Sequence, residues 1–155
     1  MKHISKNEKD THQIAAKLAQ KLKGGEIIAL EGDLGAGKTT FVKGFARAFG
    51  IKKHVTSPTF VLLKVYEIRN KPARRSSKSE GGKSKIRNLV HVDCYRLDEP
   101  QELFYLGIEE YLNKPDTIVV IEWADKIKNY IKKFKKKIWI KIINKDNKKR
   151  LFIIN

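Results

Sequence analysis

Residues Gly32 to Thr39 read GDLGAGKT and fit the phosphate-binding pattern G-x-x-x-x-G-K-[ST]. The glycines allow positive φ angles that turn successive N–H groups inward, where they and the positive end of a helix dipole can hold phosphate oxygens. Lys38 would reach the β- and γ-phosphates, and the hydroxyl of Thr39 would ligate Mg²⁺. The alternative is a glycine-rich turn that only caps a helix. Because the motif is complete and stands between a strand and a helix, the sequence predicts a nucleotide site.

Two acidic residues come directly after apolar strands. Asp93 follows Leu89–Val92, and Glu122 follows Thr117–Ile121. In an open α/β sheet, ligands bind beyond the carboxyl ends of the strands, where the phosphate loop also lies. Either acid could therefore meet Mg²⁺ or the attacking water, and we expect at least one of them to serve the site. The alternative is an acid that faces solvent or pairs with a lysine.

The surrounding patterns predict an α/β fold, in a single P-loop domain whose mixed sheet is flanked by helices. Asp10 or Thr11 would cap the first helix, and Asp98 or Glu99 the first of two short helices joined at Gly107. The predicted strands are 26–30, 61–66, 89–92, 117–121, 138–143 and 150–154. The predicted helices are 11–22, 40–49, 100–106, 108–112 and 124–130. The last two strands would form an antiparallel hairpin that finishes the sheet.

Two further stretches have open interpretations. Val55 to Phe60 is a hydroxyl-rich turn stiffened by proline, which could sense the γ-phosphate or be an ordinary loop before a strand. Arg69 to Arg87 loses the apolar pattern and is rich in cations, so we expect a flexible, solvated loop at a long hairpin tip rather than a domain boundary. It could bind RNA or be a tolerated surface insertion.

The composition limits the class of protein. Lys and Arg total 34 against 17 acids, and the net charge of +17 would attract phosphate-rich partners, although a lysine-rich proteome would explain it equally well. Cys94 is the only cysteine, so an internal disulfide is impossible and we expect a cytoplasmic protein. No apolar run approaches the ~20 residues of a membrane span.

Five motifs follow one another between about Thr11 and Lys128. They are Gly32–Thr40, Thr56–Phe60, His91-x-Asp93-x-Tyr95-Arg96-Leu97, Glu102-Leu103 with Leu106-Gly107, and Glu122-Trp123. In these motifs and in their order the chain resembles the TsaE (YjeE) family, small bacterial ATPases of threonylcarbamoyladenosine (t6A) modification of tRNA. A phosphate loop alone is common, but the loop followed by these four motifs is highly specific.

The resemblance implies a P-loop fold, MgATP as the ligand and ATP hydrolysis that is slow without partner proteins. The implied partners are the TsaB and TsaD proteins, with tRNA contacted indirectly and no membrane. The chain would drive a conformational or turnover cycle of the modifying complex. Two alternatives remain: a P-loop small-molecule kinase, and an RNA-binding module with a vestigial nucleotide site.

The resemblance also assigns residues by position. The phosphate-binding residues would be Gly35, Ala36, Gly37, Lys38, Thr39 and Thr40. Thr39 and Glu122 would hold Mg²⁺, and Asp93 would lie beside the metal and the γ-phosphate. Lys38, Asp93 and Glu122 would be the catalytic residues. Thr56, Ser57 and Thr59 would belong to a nucleotide-responsive switch. Trp123 would lie next to the site, with Thr11 and Arg150 near the adenine.

Two departures from the family pattern are visible. Cys94 stands where the family usually has leucine, which a small buried thiol can replace at little cost to packing. The Arg69 to Arg87 loop is longer and more basic than the family's usual turn, so contacts there cannot be carried over.

Overall fold

The computed structural model describes residues 1–58, 62–68, 86–146 and 148–155. Its centre is one seven-stranded sheet with the order β1-β7-β6-β2-β5-β4-β3. The strands are β1 Lys2–Ser5, β2 Ile27–Glu31, β3 Leu63–Glu67, β4 Asn88–Asp93, β5 Thr117–Glu122, β6 Lys137–Asn144 and β7 Arg150–Ile154. β6, β2, β5 and β4 pair in parallel, whereas β3 and β7 pair antiparallel with their neighbours. The predicted mixed α/β sheet is confirmed.

The parallel strands bring three chain segments to one edge of the sheet. β2 lies between β5 and β6 and leads into the phosphate loop, and its Leu30 is paired with Glu122. On the other side of β5, Asp93 is paired with Glu122 at the ends of β4 and β5. Both acids therefore reach the edge of the sheet from which the phosphate loop emerges.

Helical segments cover both faces of the sheet. They are α1 Glu8–Ala19, α2 Lys38–Ala48, α3 Glu102–Tyr105, α4 Lys128–Ile131, and two 3₁₀ turns at Ile108–Glu110 and Ala124–Ile127. One core packs α1 and α2 against the sheet, and a second core packs the shorter segments against the other face. No helix of the described residues is long and apolar enough to cross a membrane.

α2 is anchored by aromatic stacking and by close contact with α1. Phe41 stacks on Phe45 and on Phe152 of β7, with ring centroids 6.0 and 5.9 Å apart. α1 approaches α2 closely at Gly44, where an added Cβ would lie 2.6 Å from the Cα of His12. Because glycine has no side chain, the two helices can approach closely at Gly44. Their packing fixes the axis of α2, which begins at the phosphate loop.

The N-terminal expectations were partly wrong. Residues 2–5 form β1 at the edge of the sheet, where they pair with β7. Their polar composition does not indicate a strand. α1 begins one turn earlier than predicted, and its cap is Asn7, whose Oδ1 accepts the N–H of Asp10 at 2.9 Å. Thr11 is therefore an interior helix residue, fully buried. The error arose because the polar first turn carries no apolar period.

Two other details also differ. The hairpin of β6 and β7 does not form the edge of the sheet. β6 pairs with β2 on its other side, and β1 pairs with β7 and forms the edge. Neither Asp98 nor Glu99 caps α3: instead, Glu102 Oε1 accepts both of their backbone N–H groups at 2.9 Å. The expectations for the loop 69–87 fall almost wholly outside the described residues, as do Thr59 and Val61.

Candidate functional site

The phosphate loop joins β2 to α2 through a left-handed turn at Gly37. The φ angle of Gly37 is 99°, and a Cβ there would lie 3.0 Å from Nε of Arg150. Only glycine fits both the backbone and the neighbouring guanidinium group. α2 begins at the next residue, so its first free N–H groups face the cavity above the loop.

Lys38 folds back over its own loop. Its Nζ donates hydrogen bonds to the carbonyl oxygens of Gly32 at 2.7 Å and Asp33 at 2.9 Å, and lies 3.6 Å from the ring centroid of Trp123. Burial lowers the pKa of Lys38, and the carboxylates of Glu122 and Asp93 oppose that shift. An anion beside the ammonium group would compensate for the lost hydration, as a bound phosphate does.

Glu122 is held by side chains from two other elements. The hydroxyl of Thr39 donates to the carboxylate, at 3.0 Å from Oε1 and 2.9 Å from Oε2. Nε2 of His91, on β4, lies 2.8 Å from Oε1. Both Glu122 and His91 are almost fully buried, and Nδ1 of His91 has no hydrogen-bond partner in the described part of the chain. Since Nδ1 is unpartnered, the neutral tautomer that fits is the one whose Nε2–H donates to Glu122.

Asp93 has a different set of partners. Its Oδ2 accepts a hydrogen bond from the hydroxyl of Ser57, and its Oδ1 accepts the N–H of Tyr95 at 2.9 Å. The first contact links β4 to the hydroxyl-rich loop before β3. Asp93 therefore connects the edge of the sheet to the segment that the sequence suggests as a switch.

Trp123 and Tyr95 form an aromatic wall beside these carboxylates. Their ring centroids are 5.0 Å apart. Trp123 has a φ angle of 57°, which is sterically unfavourable for a bulky side chain. Such strain is retained where the surrounding contacts determine the conformation, and it is concentrated at functional sites. Here it directs the indole over Lys38.

These groups surround one open cavity of about 370 Å³. Its lining residues are Leu34, Gly35, Gly37, Lys38, Thr39, Thr40, Ser57, Asp93, Tyr95, Glu122, Trp123 and Arg150. Nε of Arg150 is buried and has no hydrogen-bond partner among the residues that are described, so an anion in the cavity could accept from it.

Two of the predicted nucleotide-binding residues do not line the cavity, and neither does Thr56 of the predicted switch. Ala36 is buried within the loop, where its N–H donates to the carbonyl oxygen of Asp33 at 3.1 Å. Thr11 lies on α1, with its hydroxyl 2.8 Å from that of Ser5. The proposed adenine contact of Thr11 stays a prediction.

Sequence reasoning gave no site role to His91, Tyr95 or Leu34. His91 could have been found from its position two residues before Asp93, which places both side chains on the same face of β4. The exposed Leu34 at the tip of the loop carries no comparable signal in the sequence.

A larger cavity, of about 1040 Å³, lies near the C-terminal end of α2. Lys43, Arg47, Lys52 and Lys53 contribute to its lining. Glu8, Tyr66 and Glu67 also line it, but it contains neither the phosphate-loop amides nor the hydroxyl of Thr39 and the carboxylates of Asp93 and Glu122. We therefore place the functional site in the smaller cavity.

The donor set of the smaller cavity fits a magnesium–phosphate ligand. Mg²⁺ prefers oxygen ligands, and the hydroxyl of Thr39 and the carboxylates of Glu122 and Asp93 supply them in the cavity lining. Phosphates fit the donors of the loop amides, Lys38 and Arg150. Groups that fit a metal ion and groups that fit phosphate thus line the same cavity.

The fold and the site define a P-loop protein of the α/β class. Residues 5–152 match the family model described as "Threonylcarbamoyl adenosine biosynthesis protein TsaE". The chain therefore belongs to the TsaE family, which takes part in the biosynthesis of threonylcarbamoyladenosine in tRNA.

Individual relatives agree with this assignment. The TsaE protein of Rickettsia typhi is 37% identical over 150 residues, which cover 96% of this chain and 90% of the relative. The TsaE protein of Bacillus subtilis is 36% identical over 146 residues, with 94% and 80% coverage. The crystal structure of Bacillus subtilis YdiB superimposes with a TM-score of 0.71 at 30% identity, covering 98% of this chain and 82% of that chain.

Proposed function

We propose that this chain binds ATP with Mg²⁺ in the P-loop cavity and hydrolyses it slowly as an accessory protein of tRNA t6A modification. The observation that carries the proposal is the convergence of Lys38, Thr39, Glu122 and Asp93 on one cavity. The loop amides with Lys38, Thr39 and Thr40 would bind the phosphates, and Thr39 and Glu122 would hold the metal. Arg150 and Trp123, which line the same cavity, would also contact the nucleotide.

The hydrolytic step needs charge stabilisation and an oriented water molecule. Mg²⁺, when bound, would neutralise charge on the phosphate oxygens. Lys38 and the loop amides stabilise the developing negative charge on the transferring phosphoryl group. Asp93, whose carboxylate faces the cavity, accepts a hydrogen bond from the attacking water and orients it. Glu122 keeps the hydroxyl of Thr39 in place.

We further propose that hydrolysis drives a cycle of the complex formed with the TsaB and TsaD proteins in the cytoplasm, with tRNA contacted through that complex. Family membership supports the pathway. Slow hydrolysis by the isolated chain is expected because Arg150 is the only arginine that lines the cavity in the described part of the chain. A transition state with few cationic partners is poorly stabilised.

The direct test combines ATP binding and phosphate release by the full chain, with and without purified TsaB and TsaD from the same genome. Lys38→Ala should abolish hydrolysis and strongly weaken ATP binding. Lys43→Ala is the matched control, since Lys43 lies on the same helix but lines the other cavity. Unchanged hydrolysis by Lys38→Ala would reject the site.

Two further outcomes would favour the other classes of function. ATP consumption that rises with a metabolite alone and yields a phosphorylated product would indicate a small-molecule kinase. Tight tRNA binding without partners, with a steep salt dependence, would indicate an RNA-binding module.

A further inference from the structure

The segment between β4 and β5 exposes three consecutive apolar side chains. Tyr105 is 89% exposed, Leu106 38% and Phe104 37%. The flanking residues Leu103 and Ile108 are 1% and 0% exposed, so they anchor the segment in the core. The exposure is therefore not a result of a loosely attached loop. A contiguous exposed apolar patch on a fixed scaffold is typical of a site of protein–protein contact.

The apolar side chains are held in an ordered arrangement. Phe104 packs edge-to-face on Tyr130, with ring centroids 5.0 Å apart, and Tyr130 packs in the same way on Phe134. Phe104 is thus fixed in the free protein. Because less side-chain entropy remains to be lost on association, such aromatic groups serve well as anchors of an interface.

The charge of this segment is opposite to that of the chain. Residues 97–113 contain five acids and neither Lys nor Arg, whereas the whole chain has a net charge of +17. Glu102 is engaged by the backbone N–H groups of Asp98 and Glu99. The other four acids of the segment are exposed. We define the acidic–aromatic face as Asp98, Glu99, Phe104, Tyr105, Glu109 and Glu110.

The start of the acidic segment is connected to the P-loop cavity. Lys126 donates hydrogen bonds to the carbonyl oxygens of Tyr95 at 2.5 Å and Leu97 at 3.0 Å. The N–H of Tyr95 binds Asp93, and its ring packs on Trp123. A short chain of direct contacts thus joins the cavity to the start of the acidic segment.

We propose that the acidic–aromatic face docks a partner protein through an apolar pocket bordered by lysine or arginine side chains. The inference rests on the proposed function, in that the TsaB–TsaD pair is taken as the partner. Four exposed carboxylates would repel nucleic acid phosphates, whereas a central aromatic anchor with a charged rim is the usual composition of a protein interface. Tyr105, with the largest exposed fraction, would enter the pocket.

The test measures the affinity of the full chain for the purified TsaB–TsaD pair in the presence of MgATP. Tyr105→Ser should weaken binding by ~10-fold or more, as substitution of an interface anchor does. Ile4→Ser is the matched control, because Ile4 is 65% exposed on β1 at one edge of the sheet. Glu109→Gln with Glu110→Gln should slow association and reduce its salt dependence, whereas Glu8→Gln should not.

Each outcome decides the inference. Wild-type affinity in Tyr105→Ser would overturn the docking face and leave the proposed function intact. An equal loss of ATP affinity in Tyr105→Ser would assign the effect to the cavity and also overturn it. A concentration-dependent dimer that Tyr105→Ser dissociates would assign the face to a second copy of the chain. Wild-type protein that hydrolyses ATP but does not bind the pair would overturn both this inference and the proposed partners, but not the ATPase.

Discussion

The ends of β4 and β5 present two carboxylates that are paired in register but held in different ways. At the end of β5, Glu122 is bound by side chains from α2 and β4, and like Asp93 it is almost fully buried. At the end of β4, the carboxylate of Asp93 accepts hydrogen bonds from the hydroxyl of Ser57 and from the backbone N–H of Tyr95. The carboxylate of Glu122 is thus held by α2 and β4, whereas one contact of the Asp93 carboxylate comes from the loop that contains Ser57.

This difference suggests how the two roles are divided. A metal ligand has to be held rigidly in one geometry, which the buried contacts of Glu122 provide. A residue that orients water only in the nucleotide-bound state is better placed on a contact that can rearrange. We infer that Glu122 serves the metal and that Asp93 couples hydrolysis to the Ser57 loop.

The largest effect is expected for Glu122→Gln. The amide has nearly the same shape but lacks the negative charge, so hydrolysis should fall by ~100-fold or more and should require much more Mg²⁺. The measurement is the rate of phosphate release against Mg²⁺ concentration. If Asp93→Asn shifts the Mg²⁺ requirement while Glu122→Gln does not, the two roles are exchanged.

Asp93→Asn should reduce hydrolysis by ~100-fold, the range expected when an acid–base group is lost, and should leave nucleotide binding intact. Its affinity for a non-hydrolysable ATP analogue with Mg²⁺ is the decisive second measurement. Loss of that affinity together with the rate would show that Asp93, like Glu122, is a binding residue.

How far the site could be predicted follows from the kind of contact involved. The phosphate loop and both acids were predictable because they depend on local spacing and on the rule that parallel strands end at one edge of the sheet. The contact between His91 and Glu122 was not predictable from the sequence, because it depends on the register of β4 against β5. A slip of one residue would turn His91 to the other face of the sheet.

The same reasoning explains the errors at the N-terminus. β1 is stabilised by pairing with β7, which comes from the opposite end of the chain. The polar sequence of residues 2–5 does not predict this pairing. The core-facing residues of α1 and α2 recur with the helical period, so those helices were found. Both ends of α1 were misplaced by three residues: it begins earlier because its cap Asn7 precedes the apolar pattern, and it ends at Ala19 rather than at residue 22.

His91 provides a smaller test of the rigid region. His91→Leu removes the donor to Glu122 and should raise the Mg²⁺ concentration needed for binding of a fluorescent ATP analogue by ~10-fold, as is usual for a residue that orients a metal ligand. His91→Gln, which keeps an N–H donor, should restore part of the loss. Equal defects in both variants, with lower thermal stability, would indicate that His91 only fills the core.

The smallest effect is expected for Ser57→Ala, which removes the hydroxyl that binds Asp93 Oδ2. One hydrogen bond to a charged group contributes ~1.5–3 kcal/mol, but water can replace it at this cavity, so we expect a loss of only several-fold in hydrolysis and none in the Mg²⁺ requirement. Ser57→Thr is the control that keeps a hydroxyl. Because Ser57 acts through Asp93, Ser57→Ala should have no additional effect in an Asp93→Asn background but its full effect in a His91→Leu background. Additive losses in both backgrounds would show that the Ser57 loop acts independently of β4, and the contrast between the two carboxylates would then lose its functional meaning.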